Sequence, residues 1–219
     1  MSRPAEPLRV AGIILAAGAS RRMRTGHSKM LLELDGESLV RRAARRARDA
    51  GLSPVVVVLG HESERVREQL GGLSCDYVVN PDFTGPTSGS LHLGLQRLGA
   101  DSDAAVIMLA DMVLVSEPML TRLVAAARRD DAPLVVSRYG DVTAPPLLFR
   151  RPLFDELLAW TGEGCGKTVV QAHRHEALFL EWSAVLLSDV DTPEDFQAAA
   201  ALSAGRRGTT PTTLAEEDV

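Results

Sequence analysis

Three groups of residues have types and spacings suited to chemistry. The first is Leu15-Ala16-Ala17-Gly18-Ala19-Ser20-Arg21-Arg22-Met23, with Lys29 downstream. Small side chains at 16–19 let backbone N–H groups approach phosphate oxygens. Arg22 offers a planar fork for those oxygens, and Lys29 a mobile point charge. A tight strand-to-helix turn carrying surface cations is the competing explanation. The second is Asp111, in Leu109-Ala110-Asp111-Met112, where a carboxylate can hold a hard divalent cation or cap a turn. The third is Asp189-Val190-Asp191-Thr192-Pro193-Glu194-Asp195. Thr192 or Asp191 ahead of Pro193 reads as a helix start, with acidic residues favourable in the first turn. That reading leaves Asp189 and Asp191, alternating along an extended segment, without a purpose.

The elements that must position these groups follow from periodicity. Val10–Leu15, Val55–Leu59, Asp76–Asn80 and Ala104–Leu109 read as strands, the first followed by a glycine-containing loop. Helical spacing predicts helices over Ser38–Ala50, Ser63–Leu70, Ser90–Leu98 and Pro118–Arg129, and another from Pro193 to about Leu202. In the first helix Arg41, Arg42, Arg45, Arg46 and Arg48 lie between the apolar positions and are read as a solvated face. Leu134–Arg138, Leu147–Phe149 and Leu178–Trp182 add strands, one of them antiparallel. A β-α-β-α succession implies a mainly parallel sheet covered by helices on both faces, with ligands gathering beyond the carboxyl ends of the strands. One domain over 9–203 is expected, with a flexible segment 1–8 and a disordered Gly/Thr/Pro-rich, then acidic, tail 204–219.

Composition narrows the class. The chain has 219 residues, 45% hydrophobic and 24% charged, enough for one sizeable α/β core. A net charge of −5 argues against a general nucleic-acid binder but leaves room for a local cationic pocket. Apolar runs too short to span a bilayer, no signal-peptide core, and two cysteines (Cys75 and Cys165) without CxxC spacing fit a soluble cytoplasmic protein. The five histidines carry no zinc spacing, and no nucleophile elbow is present. Thr161 breaks the Walker A spacing before Gly166-Lys167, and no G-x-G-x-x-G follows the first strand, against an NAD-binding domain.

The Leu15–Met23 segment with its downstream lysine resembles the signature of the MobA-like nucleotidyltransferases, L-A-[AG]-G-x-S-x-R-M-G-x-x-K. Asp111 matches the Asp of L-x-D-M-P, and Asp189–Asp195 matches D-[IV]-D-T-P-E-D. Asn80-Pro81 with Pro86–Leu91 is similar to the N-P…G-x-S-x-S-L loop, although Ser88 or Ser90 also suits a helix N-cap. Gly162–Lys167 loosely resembles G-D-x-G-[AG]-[RK], and Ala144-Pro145-Pro146 stands where the family has G-H-P. Arg24 replaces the usual Gly, Lys29 falls two residues late, and Val113 replaces Pro.

The resemblance implies a three-layer, doubly wound, Rossmann-like fold of the GT-A nucleotidyltransferase type. It implies nucleotide binding by Leu15, Ala16, Ala17, Gly18, Ser20, Arg22, Lys29, Asn80, Ser88 and Ser90. Arg22, Lys29 and Asp111 would be catalytic, with Mg²⁺ held by Asp111 and Asp191, the latter favoured over Asp189. Ala17 points to the cytidylyl branch, hence CTP as donor and molybdopterin cofactor as phosphorylated acceptor, with Lys167 near the acceptor phosphate and a molybdoenzyme as possible partner. A transferase acting on a sugar phosphate or a phosphorylated alcohol, and a nucleotide- or cofactor-binding module without turnover, are the alternatives.

Overall fold

Strand β1, Val10–Ala16, is buried throughout because its side chains feed two cores. Val10, Ile14 and Ala16 point to one face of the sheet, and Ala11, Ile13 and Leu15 to the other, the period-2 alternation of an extended chain. The computed structural model describes residues 8–23, 26–164 and 166–207. The expectations for 1–7, Arg24, Cys165 and 208–219 lie outside them.

After β1 the chain forms a small hairpin, β2 (Glu33–Leu34) and β3 (Glu37–Ser38), and then α1 (Leu39–Asp49). β4 (Val55–Leu59), α2 (Ser63–Glu68), β5 (Asp76–Val79), α3 (Thr87–Arg97), β6 (Ala104–Leu109) and α4 (Glu117–Arg129) complete a parallel βα half. The second half holds β7 (Leu134–Tyr139), β8 (Val142–Arg150), α5 (Phe154–Ala159), α6 (Lys167–Ala172), β9 (Leu178–Trp182) and α7 (Pro193–Arg207). The seven-stranded sheet runs β5-β4-β1-β6-β8-β7-β9, and only β8 runs antiparallel to its neighbours.

Helices cover both faces, as the sequence implies. On one side lie the apolar stripes of α1 (Val40, Ala43, Ala44, Ala47) and α4 (Leu120, Leu123, Val124). On the other lie Leu91 and Leu95 of α3, Leu157 of α5, and Val169 and Val170 of α6. Gly94 is required in α3, since a Cβ there would stand 2.5 Å from Ile13 Cγ2 of β1. This is the mainly parallel, doubly wound, three-layer sheet that the sequence implies. Among the described residues no helix is long and apolar enough to cross a membrane.

Four expectations need correction. The arginines of α1 are not a solvated face: Arg42 is buried and donates to Asp35 and Ser203, while Arg46 donates to the carbonyls of Val113 and Val115. Their long stems cross the helix edge, and each guanidinium finds backbone or side-chain acceptors that an amphipathic pattern cannot show. α3 begins at Thr87 rather than Ser90, because Pro86 supplies its extended cap residue. β8 begins five residues earlier than Leu147, and α7 continues to Arg207.

Candidate active site

At the carboxyl ends of β1 and β6 the sheet opens into a cavity of about 390 Å³. Leu15, Ala16, Ala17 and Gly18 form one wall and Ser90 lies beyond them; Arg22, Lys29, Asp111, Asp189 and Asp191 supply the charges. An adjoining space of about 280 Å³ is bounded by Ser20, Arg21, Arg22, Lys29 and Asp191. Residues far apart in the chain therefore meet at one place.

The loop keeps its shape through specific bonds. Ser20 takes a left-handed conformation (φ 54°), and its Oγ accepts the Lys29 N–H at 2.9 Å. Met23 N–H closes a short turn onto Ser20 O at 3.1 Å, leaving Arg22 largely exposed above the cavity. Gly60, just past β4, buttresses the loop from below. A Cβ there would lie 2.4 Å from the Ala17 carbonyl oxygen and 2.5 Å from Phe83 Cβ.

Lys29 is the electrostatic centre. Its buried Nζ donates to Asp111 Oδ2 at 2.5 Å and to Asp191 Oδ1 at 2.9 Å, and Arg22 reaches Asp191 Oδ2 at 2.8 Å. Burial works against its charge, but the two carboxylates outweigh that cost and hold its pKa above an ordinary lysine's. Asp189 opens on the same cavity without bonding the amine. The surrounding protein, then the charges of Asp111 and Asp191, push its pKa up to about 6.

The last acidic segment is stitched to the strand β6 exit. Met112 and Asp189 form an antiparallel bridge, and Val190 N–H donates to Asp111 O at 3.1 Å. Thr192 caps α7 reciprocally: its Oγ1 accepts from Asp195 N–H, while Asp195 Oδ2 accepts from Thr192 N–H. Val190 between the two aspartates is fully buried, so Asp189 and Asp191 both turn outward into the cavity.

Two site residues read from the sequence are placed differently. Asn80 and Ser88 are buried, and their polar atoms are spent inside the protein: Asn80 Nδ2 donates to Ser90 Oγ and its Oδ1 accepts from Asp82 N–H, while Ser88 Oγ accepts from Gly162 N–H. They support the wall instead of lining it, and neither Ser88 nor Ser90 caps α3. Thr87 and Gly164, inside the Pro86–Leu91 and Gly162–Lys167 motifs, also line the cavity, as does Phe83, which belongs to neither motif and whose only sequence signal is its place between Asn80-Pro81 and Pro86. Glu163 accepts from Thr87 Oγ1 and N–H, closing that side.

Metal holding can be tested against this donor set. Among the described residues no group of three or more His, Cys, Asp or Glu side chains converges on one ion position. Two carboxylates that already clasp a cation suit Mg²⁺, which commonly takes one or two protein carboxylates and completes its shell with water and substrate phosphate oxygens. The Lys29 ammonium stands in for positive charge at that point, and it would share or yield Asp111 and Asp191.

A sheet of this topology, with cations and carboxylates facing one cavity at its carboxyl edge, is the arrangement expected of the NTP transferase class. The chain belongs to the family described as MobA-like NTP transferase domain, which matches residues 12–177. It is 38% identical over 127 residues to the bifunctional protein GlmU of Kineococcus radiotolerans, covering 57% of this chain and 26% of that protein. The chain thus spans about a quarter of the length of such curated relatives. Rv0371c of Mycobacterium tuberculosis H37Rv superposes with a TM-score of 0.79 at 27% identity, covering 90% of this chain and 100% of that one. The same protein has also been solved as a manganese complex. A nucleotidyl transferase from Methanothermobacter, at 20% identity and a TM-score of 0.78 over 90% of this chain and 99% of its own, shares the fold.

Proposed function

We propose that this chain transfers CMP from CTP to a phosphorylated small-molecule acceptor, with molybdopterin cofactor the favoured acceptor, and releases pyrophosphate. One observation carries the reading: the small-residue loop 15–18, Arg22 and Lys29 share a single cavity with Asp111 and Asp191. That arrangement suits a polyphosphate beside a cation. The cytidylyl preference rests on Ala17, and the acceptor on the family resemblance of the loop.

In the reaction an acceptor phosphate oxygen bonds to the α-phosphorus while the bond from the α-phosphorus to the bridging oxygen breaks. The electron pair leaves with pyrophosphate, and no covalent enzyme intermediate is needed. The chain's contribution is positioning and charge. Backbone amides of the loop cradle phosphate oxygens, and Arg22 and Lys29 stabilise the charge that builds on the leaving pyrophosphate. Asp111 and Asp191 would hold Mg²⁺, whose role when bound is to polarise the phosphoryl oxygens and neutralise their charge.

Pyrophosphate release measured with CTP, GTP, ATP and UTP, Mg²⁺ and molybdopterin cofactor tests the reading. Turnover with CTP that depends on molybdopterin supports it. Turnover only with a sugar phosphate or a phosphorylated alcohol establishes the second reading, favoured by Ala144-Pro145-Pro146 in place of the family's Gly-His-Pro. Nucleotide binding without pyrophosphate leaves a binding module. Near-full activity in Asp111→Ala removes the metal assignment.

A further inference from the structure

A second cavity, of about 440 Å³, lies between the β7–β8 turn and α6. Arg138, Thr143, Lys167, Gln171 and Arg174 line it, opposed by one carboxylate, Asp141. Lys167 and Gln171 stand one turn apart on α6, and Arg174 follows in the turn just after the helix ends at Ala172, lining the same cavity. Arg138 is already committed, pairing with Glu181 and lying 5.1 Å over the Phe179 ring. Among the described residues, Lys167 and Arg174 have no carboxylate partner. Lys167 and Arg174 together outweigh the single carboxylate of Asp141, and this excess of positive charge in one concavity favours an anion there.

The position of this cavity says which anion. Gly164 lines the nucleotide cavity, and a Cβ on Gly164 would stand 3.2 Å from Lys167 Cδ. The Lys167 stem therefore forms the partition between the two spaces. The turn lies at the carboxyl end of β7, on the same edge of the sheet as Ala16 and Leu109. An acceptor reaching the α-phosphorus from this side would have its remote end in the second cavity. The volume is large enough for part of a small molecule and too small for a macromolecular segment.

The geometry points to an acceptor with two anionic groups: its reacting phosphate enters past Lys167, and a second anionic group, phosphate or carboxylate, sits under Arg174. This rests on the transferase reading and adds the acceptor's charge pattern to it. Inorganic phosphate is the probe. It is titrated into full-length protein saturated with the nucleoside triphosphate that binds best, and backbone amide shifts are followed.

Saturable shifts at 141–143 and 167–174 are expected in the wild type. They should weaken by at least about tenfold in Lys167→Gln/Arg174→Gln, survive in Lys167→Arg, and leave the nucleotide dissociation constant within about twofold. Shifts confined to the 15–22 loop, or equal phosphate affinity in wild type and double variant, overturn the inference while the transferase reading stands. Failure of the wild type to bind any triphosphate overturns both.

Discussion

Lys29 shows how one residue can carry both structure and reactivity. Its amine separates two carboxylates that would otherwise repel across the cavity, and the whole site is organised around that clasp. Lys29→Met should lower kcat by roughly 10²–10³, the cost of losing one preorganised charge at a transition state. It should also free Asp111 and Asp191, so that Mg²⁺ added without nucleotide raises the Tm of Lys29→Met more than that of the wild type. Equal Tm shifts in the two proteins would mean the carboxylate pair is not a cation site. Arg22 makes a useful contrast. It bonds the same Asp191 from an exposed position, where an ion pair contributes about 0–1 kcal/mol to stability. Arg22→Ala should leave the Tm nearly unchanged and raise KM for the triphosphate, read from initial rates of pyrophosphate release.

Among the elements, those that read clearly in the sequence are the ones whose side chains alone decide them. β1, β4 and β6 are unbroken aliphatic runs, and each appears where the run lies. β8 was legible only from Leu147 because Pro145 and Pro146 cannot donate to a ladder. The structure accommodates them at an irregularity in the β7–β8 register, where Ser137 Oγ donates to Pro146 O and Tyr139 OH to Pro145 O. Such rescue by side chains from another strand leaves no local trace. The segment 26–29 is a similar case. Glu62, in a left-handed conformation at the start of α2, accepts from Ser28 N–H at 2.5 Å and also binds Arg65 and His27. The Ser28 N–H, with Arg65 and His27 adding to it, outweighs an opposing burial cost and holds the Glu62 pKa down to about 2. A lowered carboxyl pKa contributes stability that is complete above the ordinary value of 4.5 and fades as pH falls toward 2. The stability gap between wild type and Glu62→Gln, from urea melts, should therefore stay constant above about pH 5.5 and shrink steadily as pH falls from 4.5 toward 2. A gap undiminished at about pH 2.5 would show that Glu62 acts through shape instead of charge. Because Glu62 sets the backbone beside Lys29, Glu62→Ala should lower kcat more than Glu62→Gln does.

At the scale of the whole molecule, the site is a meeting of three chain segments: the β1 exit, the β6 exit and the stretch before α7. Sequence motifs named all three, and what they could not supply was the packing that makes them meet. A third, smaller apolar cluster does this, joining Met23, Leu34, Leu39, Val113, Leu114, Val190 and Ala199. It lies apart from the two sheet cores, and its members come from every segment that feeds the cavity. Val190 is its link to the acidic residues, fully buried between Asp189 and Asp191 and bonded through its N–H to Asp111 O. Removing two methyl groups there leaves a void and loosens the segment that aims Asp191. Val190→Ala should cost about 1–3 kcal/mol. Val169→Ala, on α6 and buried in the sheet core, should cost a similar amount and serves as the control. The two variants should then part company. Val190→Ala raises the Mg²⁺ concentration needed for half-maximal turnover several-fold, while Val169→Ala leaves it at the wild-type value. Equal metal dependence in both would mean that the small cluster only stabilises the fold and does not aim the carboxylates.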